Sequence, residues 1–128
     1  MYCSLADSKR YSDWFKKAHS DHIAAKILFE HGADYSLVAF HAQQAVEKAL
    51  KGYILKNSGD LVDGHSLVFL IKYAQRFDND IQHLRKDCAY LNQFYVETRY
   101  PADIPDEVTK DEALLALTTA DKVIERIV

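Results

Sequence analysis

Hydrophobic positions along this chain recur at steps of three and four, the signature of amphipathic helices, and no stretch of useful length alternates as a strand does. The clearest run is Ser36 to Asn57. There Val38, Ala42, Ala45, Ala49 and Tyr53 form one stripe, and Val46, Leu50 and Ile54 widen it into a core-facing surface. Gln44, Glu47, Lys48 and Lys51 repeat the same steps on the other side, with Glu47 one turn before Lys51 and able to pair with it. The alanines allow a neighbouring helix to approach closely, so this is the expected central helix.

Before it, Ser12 offers a cap, Asp13 sits in a first turn, and Trp14, Ala18, Ala25 and Leu28, flanked by Ile23 and Ile27, supply an apolar face that ends at Gly32. A helix is expected over about Ser12 to His31, folded back on the central helix through the short linker from Gly32 to Tyr35. After Asn57, the segment SGDLVDG reads as an exposed loop. His65 and Ser66 introduce a short third helix whose apolar positions are Leu67, Leu70, Ile71, Ala74 and Phe77, closed by Asp78-Asn79-Asp80. Ile81, Leu84, Cys88, Leu91 and Tyr95 predict a fourth helix reaching as far as Tyr100, where Pro101 stops it. Asp103 to Val108, with Pro105, forms a second loop, and Thr109-Lys110-Asp111-Glu112 is a capping box for a last helix lined by Ala113, Leu117, Ala120, Ile124 and Ile127. The expectation is all-α: an antiparallel up-and-down bundle of about five helices, one domain over 1–128 with its core from about residue 12.

Composition agrees with long helices, since 128 residues carry only 4 Gly and 2 Pro. A formal net charge of −3 argues against coating nucleic acid or an anionic membrane by bulk charge, so any such contact must be local. Cys3 and Cys88 are too few and too scattered for a disulfide framework or zinc knuckle, and no apolar run approaches membrane-spanning length. A cytoplasmic protein without a membrane segment, metal or cofactor is expected. His19 and His22 stand one turn apart, a spacing able to hold a metal only with a third ligand, and an exposed polar stretch is the simpler reading.

Three segments, HAQQAVEKALKGYIL, HSLVFLI and FYVETRYPAD, occur in this order between Trp14 and Ile127 and resemble the HEPN (higher eukaryotes and prokaryotes nucleotide-binding) domain. The resemblance implies a small helical bundle, usually a homodimer, often encoded beside a minimal nucleotidyltransferase in toxin–antitoxin pairs. Several branches of that family are metal-independent ribonucleases marked by Arg followed four to six residues later by His. Arg99 matches the arginine, but the histidine positions hold Asp103, Ile104 and Pro105, and Arg10, Arg76, Arg85 and Arg126 also lack a His at that distance.

RNA cleavage without metal needs a proton acceptor and a proton donor, roles that suit histidine near neutrality. The expected function is therefore a non-catalytic nucleotide- or RNA-binding or interaction module, partnered with a nucleotidyltransferase in a toxin–antitoxin-type pair. Lys48, Lys51 and Arg99 would share an electropositive face able to grip phosphate, with Tyr100 as a stacking ring and Gln44 and His41 bordering the cleft. The alternative for this face is a solvated row in which the lysines pair with Glu47 and Arg99 satisfies carbonyls at its helix end. Two other functions stay open: a ribonuclease toxin with a degenerate site, in which Asp103, His65 or a partner-subunit His replaces the missing one, and a purely structural interaction bundle. For His65, capping the third helix or bonding back to the bundle is the expected structural role. The aromatic surplus, Trp14, Phe15, Phe29, Phe40, Phe69 and Phe94 among it, favours a two-fold interface.

Overall fold

The structure is a computed structural model that describes residues 8–32, 34–95 and 107–128. Among these, five α-helices and one 3₁₀ segment account for the regular structure, and no strand occurs. The helices are α1 (Tyr11–Glu30), α2 (Tyr35–Ser58), α3 (Leu67–Ala74), α4 (Arg85–Asn92) and α5 (Lys110–Ile127). The expected all-α bundle is thus the observed class. Arg99, Tyr100, Pro101 and Asp103, together with Cys3, lie outside the described residues.

Helix α1 begins one residue earlier than its sequence suggests, and Ser12 is not its cap. The cap position belongs to Arg10, which makes no side-chain cap bond. Instead the first turn is tied by Asp13, whose Oδ2 accepts from Ser8 Oγ at 2.7 Å and Arg10 Nε at 3.1 Å. The Ser8 hydroxyl, ahead of the Arg10 charge, holds the Asp13 carboxyl below the usual carboxylate range. Trp14 completes the tie by donating from Nε1 to the Ser8 carbonyl at 3.0 Å. At the other end, Gly32 takes φ +64, a left-handed turn that glycine adopts without a Cβ penalty.

Asp34 caps α2 by accepting from Ser36 N at 2.9 Å, and Gly59, at φ +79, closes it with a bond to the Leu55 carbonyl. Phe29 meets Tyr35 at one end of the α1–α2 pair. At the other end a methyl placed on Gly52 would stand 2.8 Å from the Phe15 ring and 3.0 Å from Trp14 Cβ, so the two helices run antiparallel and are in close contact there. Helix α2 also packs on α3, α4 and α5, which makes it the middle of the molecule. Val38, Ala42, Ala45, Val46, Ala49, Leu50 and Ile54 have no exposed surface. Burial of each large aliphatic side chain favours the folded state by about 1.5–3 kcal/mol before entropy is counted.

Ser66 caps α3 by accepting from Phe69 N at 3.2 Å. That helix ends at Ala74, so Phe77 follows it in a turn. The expected fourth helix is divided. Its seam residues Ile81, Leu84, Cys88 and Leu91 are all fully buried as anticipated, but Asn79–Leu84 is a 3₁₀ segment and only Arg85–Asn92 is α. The step of three from Ile81 to Leu84 matches a 3₁₀ repeat, in which i and i+3 eclipse, and Asp78 fixes the tight start by accepting from Asp80 N at 3.0 Å. Helix α4 also stops short: Gln93 and Phe94 form a turn, and Asn92 Oδ1 accepts from Leu67 N at 2.8 Å, joining α4 to the start of α3. Helix α5 carries the anticipated capping box, with Thr109 Oγ1 accepting from Glu112 N at 3.1 Å and Glu112 Oε1 accepting from Thr109 N at 3.3 Å.

Candidate functional site

The polar row of α2 does not face solvent. Glu47 and Lys51 are 3% and 6% exposed and Gln43 is fully buried, because α1 covers the row on one side and the chain entering α3 covers it on the other. A charge taken out of water must be paired, and here each carboxylate is shared between a lysine and a histidine.

The first such centre is Asp21 of α1. Its Oδ2 takes Lys48 Nζ at 2.5 Å and its Oδ1 faces His41 Nδ1 at 3.4 Å. The second is Glu47. Its Oε2 takes Lys51 Nζ at 3.2 Å, while Oε1 faces His65 Nδ1 at 3.0 Å and Gln44 Nε2 at 3.4 Å. Gln44 also donates to Gln43 Oε1 at 2.8 Å, and Gln43 in turn donates to the His65 carbonyl at 3.4 Å. Lys51 Nζ lies 5.8 Å from the centre of the Trp14 ring. The His65 ring is 4.2 Å from that of Tyr95, the last described residue before the segment carrying Arg99 and Tyr100.

Five of the expected site residues are therefore in view. Gln44, Lys51 and His65 converge on Glu47, and His41 and Lys48 converge on Asp21. Neither lysine presents a free charge: Lys51 pairs with Glu47, as in the alternative reading of this face, but inside the bundle, and Lys48 pairs with Asp21. His65 does not cap α3, a role taken by Ser66, but bonds back to the bundle. Arg99, Tyr100 and Asp103 fall outside the described residues.

Asp21 and Gln43 were not anticipated by pattern reading, although Asp21 carried a signal. It stands at a core step in the series Trp14, Ala18, Asp21, Ala25, where a carboxylate needs a buried partner.

What the centres offer chemically differs. The Asp21 group is closed, with the His41 side chain 29% exposed, whereas half of the His65 side chain is open to solvent over a carboxylate that is 5% exposed. In the neutral tautomer that donates from Nδ1 to Glu47 Oε1, Nε2 is the lone-pair nitrogen of His65.

His22 turns inward and bonds Asp121 of α5, so it does not pair with His19 as a ligand set. Among the described residues no group of three or more His, Cys, Asp or Glu is placed to hold a metal ion. Burial, outweighing the pull of the half-exposed Asp121 carboxylate, lowers the His22 pKa below the ordinary 6.5; Lys26 and His19 add to the lowering. The unfolded chain then binds more protons than the folded one below pH 6.5, so this group removes stability as pH falls through that window. Melting temperatures measured from pH 7.5 to 5 are expected to drop more for the native protein than for His22→Gln; parallel curves would contradict this assignment. Burial also pushes the Cys88 thiol up to about 12, leaving it without a reactive thiolate. Among the described residues no helix is long and apolar enough to cross a membrane.

Comparison with known proteins agrees with this architecture. The HEPN domain matches residues 11–128. Putative toxin MJ1304 of Methanocaldococcus jannaschii is 27% identical over 132 aligned positions, covering 92% of this chain and 86% of that protein. Two crystal structures share the fold. TT1696 from Thermus thermophilus has a TM-score of 0.77 and 31% identity, over 94% of this chain and 97% of the other. ST0689, described as an archaeal HEPN homologue, has a TM-score of 0.72 and 25% identity, over 94% and 96%.

Proposed function

This chain belongs to the HEPN domain family, and from that premise we propose that it is the RNA- or nucleotide-engaging half of a toxin–antitoxin-type pair in the cytoplasm. Its companion in this reading is a minimal nucleotidyltransferase, and it acts as a homodimer. The likeness to a relative named as a toxin supports the type of system. The observation that carries the location is His65, held on the buried Glu47–Lys51 pair with its ring tilted against that of Tyr95, four residues along the chain from Arg99. Arg99 is the phosphate-gripping group of the proposal, and Tyr100 and Tyr95 supply rings for bases. Since Lys48 and Lys51 are spent on Asp21 and Glu47, they act as struts of this site rather than as its anion contacts.

The reading predicts a gel shift of labelled RNA in EDTA that weakens about tenfold or more in Arg99→Ala, the loss expected for one charge-assisted contact of about 1.5–3 kcal/mol. The circular dichroism melt should stay unchanged. An unaltered shift would remove Arg99 from the site, and no shift at any concentration tested would defeat the RNA-binding reading.

One observation favours a second reading, a ribonuclease. The expectation of a non-catalytic module rests on the absence of histidine after Arg99, and an imidazole presented from a different element can fill that role.

A further inference from the structure

We propose that the outer face of α3 and the turn after it form a stacking track for single-stranded RNA, in which Phe69, Tyr73 and Phe77 meet the bases and Lys72 and Arg76 meet the phosphates. The proposal rests on the RNA-engaging reading above and adds to it a contact surface on a different helix from the motif segment.

Helix α3 is apolar on more than its inner side. Leu67, Leu70, Ile71 and Ala74 fill the core without exposed surface, yet Phe69 is 53% exposed and Phe77, just past the helix, 37%. A helix already seated on the core by one face gains little stability from phenylalanine on its outer one, so the exposed rings ask for a partner. They are also joined. Ring centres lie 6.2 Å apart from Phe69 to Tyr73, 6.2 Å from Tyr73 to Phe77 and 6.5 Å from Phe77 to Tyr53 of α2. Tyr73 and Tyr53 pack against the core, and the Tyr73 hydroxyl donates to Asp60 Oδ2 at 3.2 Å, so the row is held in place before any ligand arrives.

The charges beside the rings select the ligand. Arg76 Cζ lies 4.6 Å from the centre of the Tyr73 ring, and the exposed Lys72 stands one turn before Arg76. Among the described residues neither forms an ion pair, in contrast with Lys48 and Lys51, which are spent on carboxylates. Of the carboxylates nearby, Asp60 is engaged by Tyr73 and Asp78 by Arg126. Rings in a row with unspent cations alongside are the two components of single-strand recognition, stacking that tolerates any base and charge that follows the backbone. A chain of net charge −3 must meet a polyanion locally, and this face supplies the local charge.

A second copy of the chain would cover the same rings, but a two-fold contact here sets Lys72 and Arg76 against their own counterparts. Duplex RNA keeps its base faces stacked inside the helix and offers the rings nothing. A single strand offers both base faces and phosphates. The track also begins four residues after His65, on which the proposed site is built.

The test is fluorescence anisotropy of a labelled single-stranded RNA, and of the same RNA annealed to its complement, titrated with the full chain in EDTA at several salt concentrations. Native protein should bind the single strand more tightly than the duplex. Phe69→Leu keeps an apolar side chain but removes the ring, and should weaken single-strand binding about fivefold or more, the lower end of base–aromatic stacking, with an unchanged melting curve. Phe69→Trp should retain the native affinity, a rescue that a merely apolar contact would not require. Arg76→Gln should lower the slope of log affinity against log salt by about 0.7, the share of one phosphate on a single strand. Equal binding of strand and duplex, or native affinity in Phe69→Leu, overturns the track, and if Arg99→Ala still weakens binding the function proposed above stands. Light scattering of Phe69→Asp tests the competing occupant: a fall in mass below that of the native protein assigns the face to a second copy and overturns the proposal. No RNA binding by the native protein defeats both readings.

Discussion

Replacing Glu47 by alanine is expected to destabilise the fold by about 3–5 kcal/mol, the cost of leaving its buried partner uncompensated. Lys51 is 6% exposed, its ammonium bonds Glu47 at 3.2 Å, and the Trp14 ring 5.8 Å away is a poor substitute for a carboxylate. Against the roughly 5–15 kcal/mol that holds a typical domain together, that loss is large. Lys51→Met should cost less, because Glu47 keeps His65 and Gln44 as partners when the lysine is gone. The asymmetry is the diagnostic feature. A double variant, Glu47→Leu with Lys51→Met, should recover most of the loss, since a buried ion pair exchanged for apolar groups of similar volume is often neutral or better. Urea denaturation of the four proteins measures this directly. A cost below about 1 kcal/mol for Glu47→Ala would mean that Lys51 reaches water and that the pair is superficial.

That prediction marks where the sequence was readable and where it was not. The stripe from Val38 to Ile54 and the box at Thr109 to Glu112 foretold α2 and α5, because helical period and cap chemistry are local properties of the chain. The pairing of Glu47 with Lys51 was legible for the same reason, being a contact across one turn. Its burial was not legible. Whether a polar face meets water depends on what packs over it, and Asp21 and His65 reach the row from 27 and 18 residues away. The divided fourth helix shows another limit: Ile81, Leu84, Cys88 and Leu91 keep their inward direction in both 3₁₀ and α geometry, so periodicity does not separate the two. Local capping by Asp78 decides it. At the site, the motif segment pointed to Arg99 by resemblance, whereas the Glu47–His65 contact joins a helix interior to a loop end and has no signature in spacing.

Trp14→Ala is expected to cost about 3–5 kcal/mol, the range for deleting a buried aromatic side chain. The indole is 5% exposed, stands in the close contact of α1 with α2 beside Gly52, and covers the buried Lys51. It also ties the chain ahead of α1 through Nε1 and the Ser8 carbonyl. Trp14→Phe separates these contributions: it keeps most of the packing and loses the hydrogen bond, which should cost about 1 kcal/mol plus the unfilled volume. If packing dominates, phenylalanine must restore well over half of the alanine loss. Equal losses for the two variants would instead assign the tryptophan's role to its tie to Ser8. The site should respond in step, because the ring screens the Lys51 end of the Lys51–Glu47–His65 chain. A cycle combining Trp14→Phe with Lys51→Met should then show a coupling of about 0.5–2 kcal/mol, the span of a partly desolvated cation–aromatic contact. Zero coupling would make the indole a packing element alone and leave Glu47 as the sole restraint on Lys51.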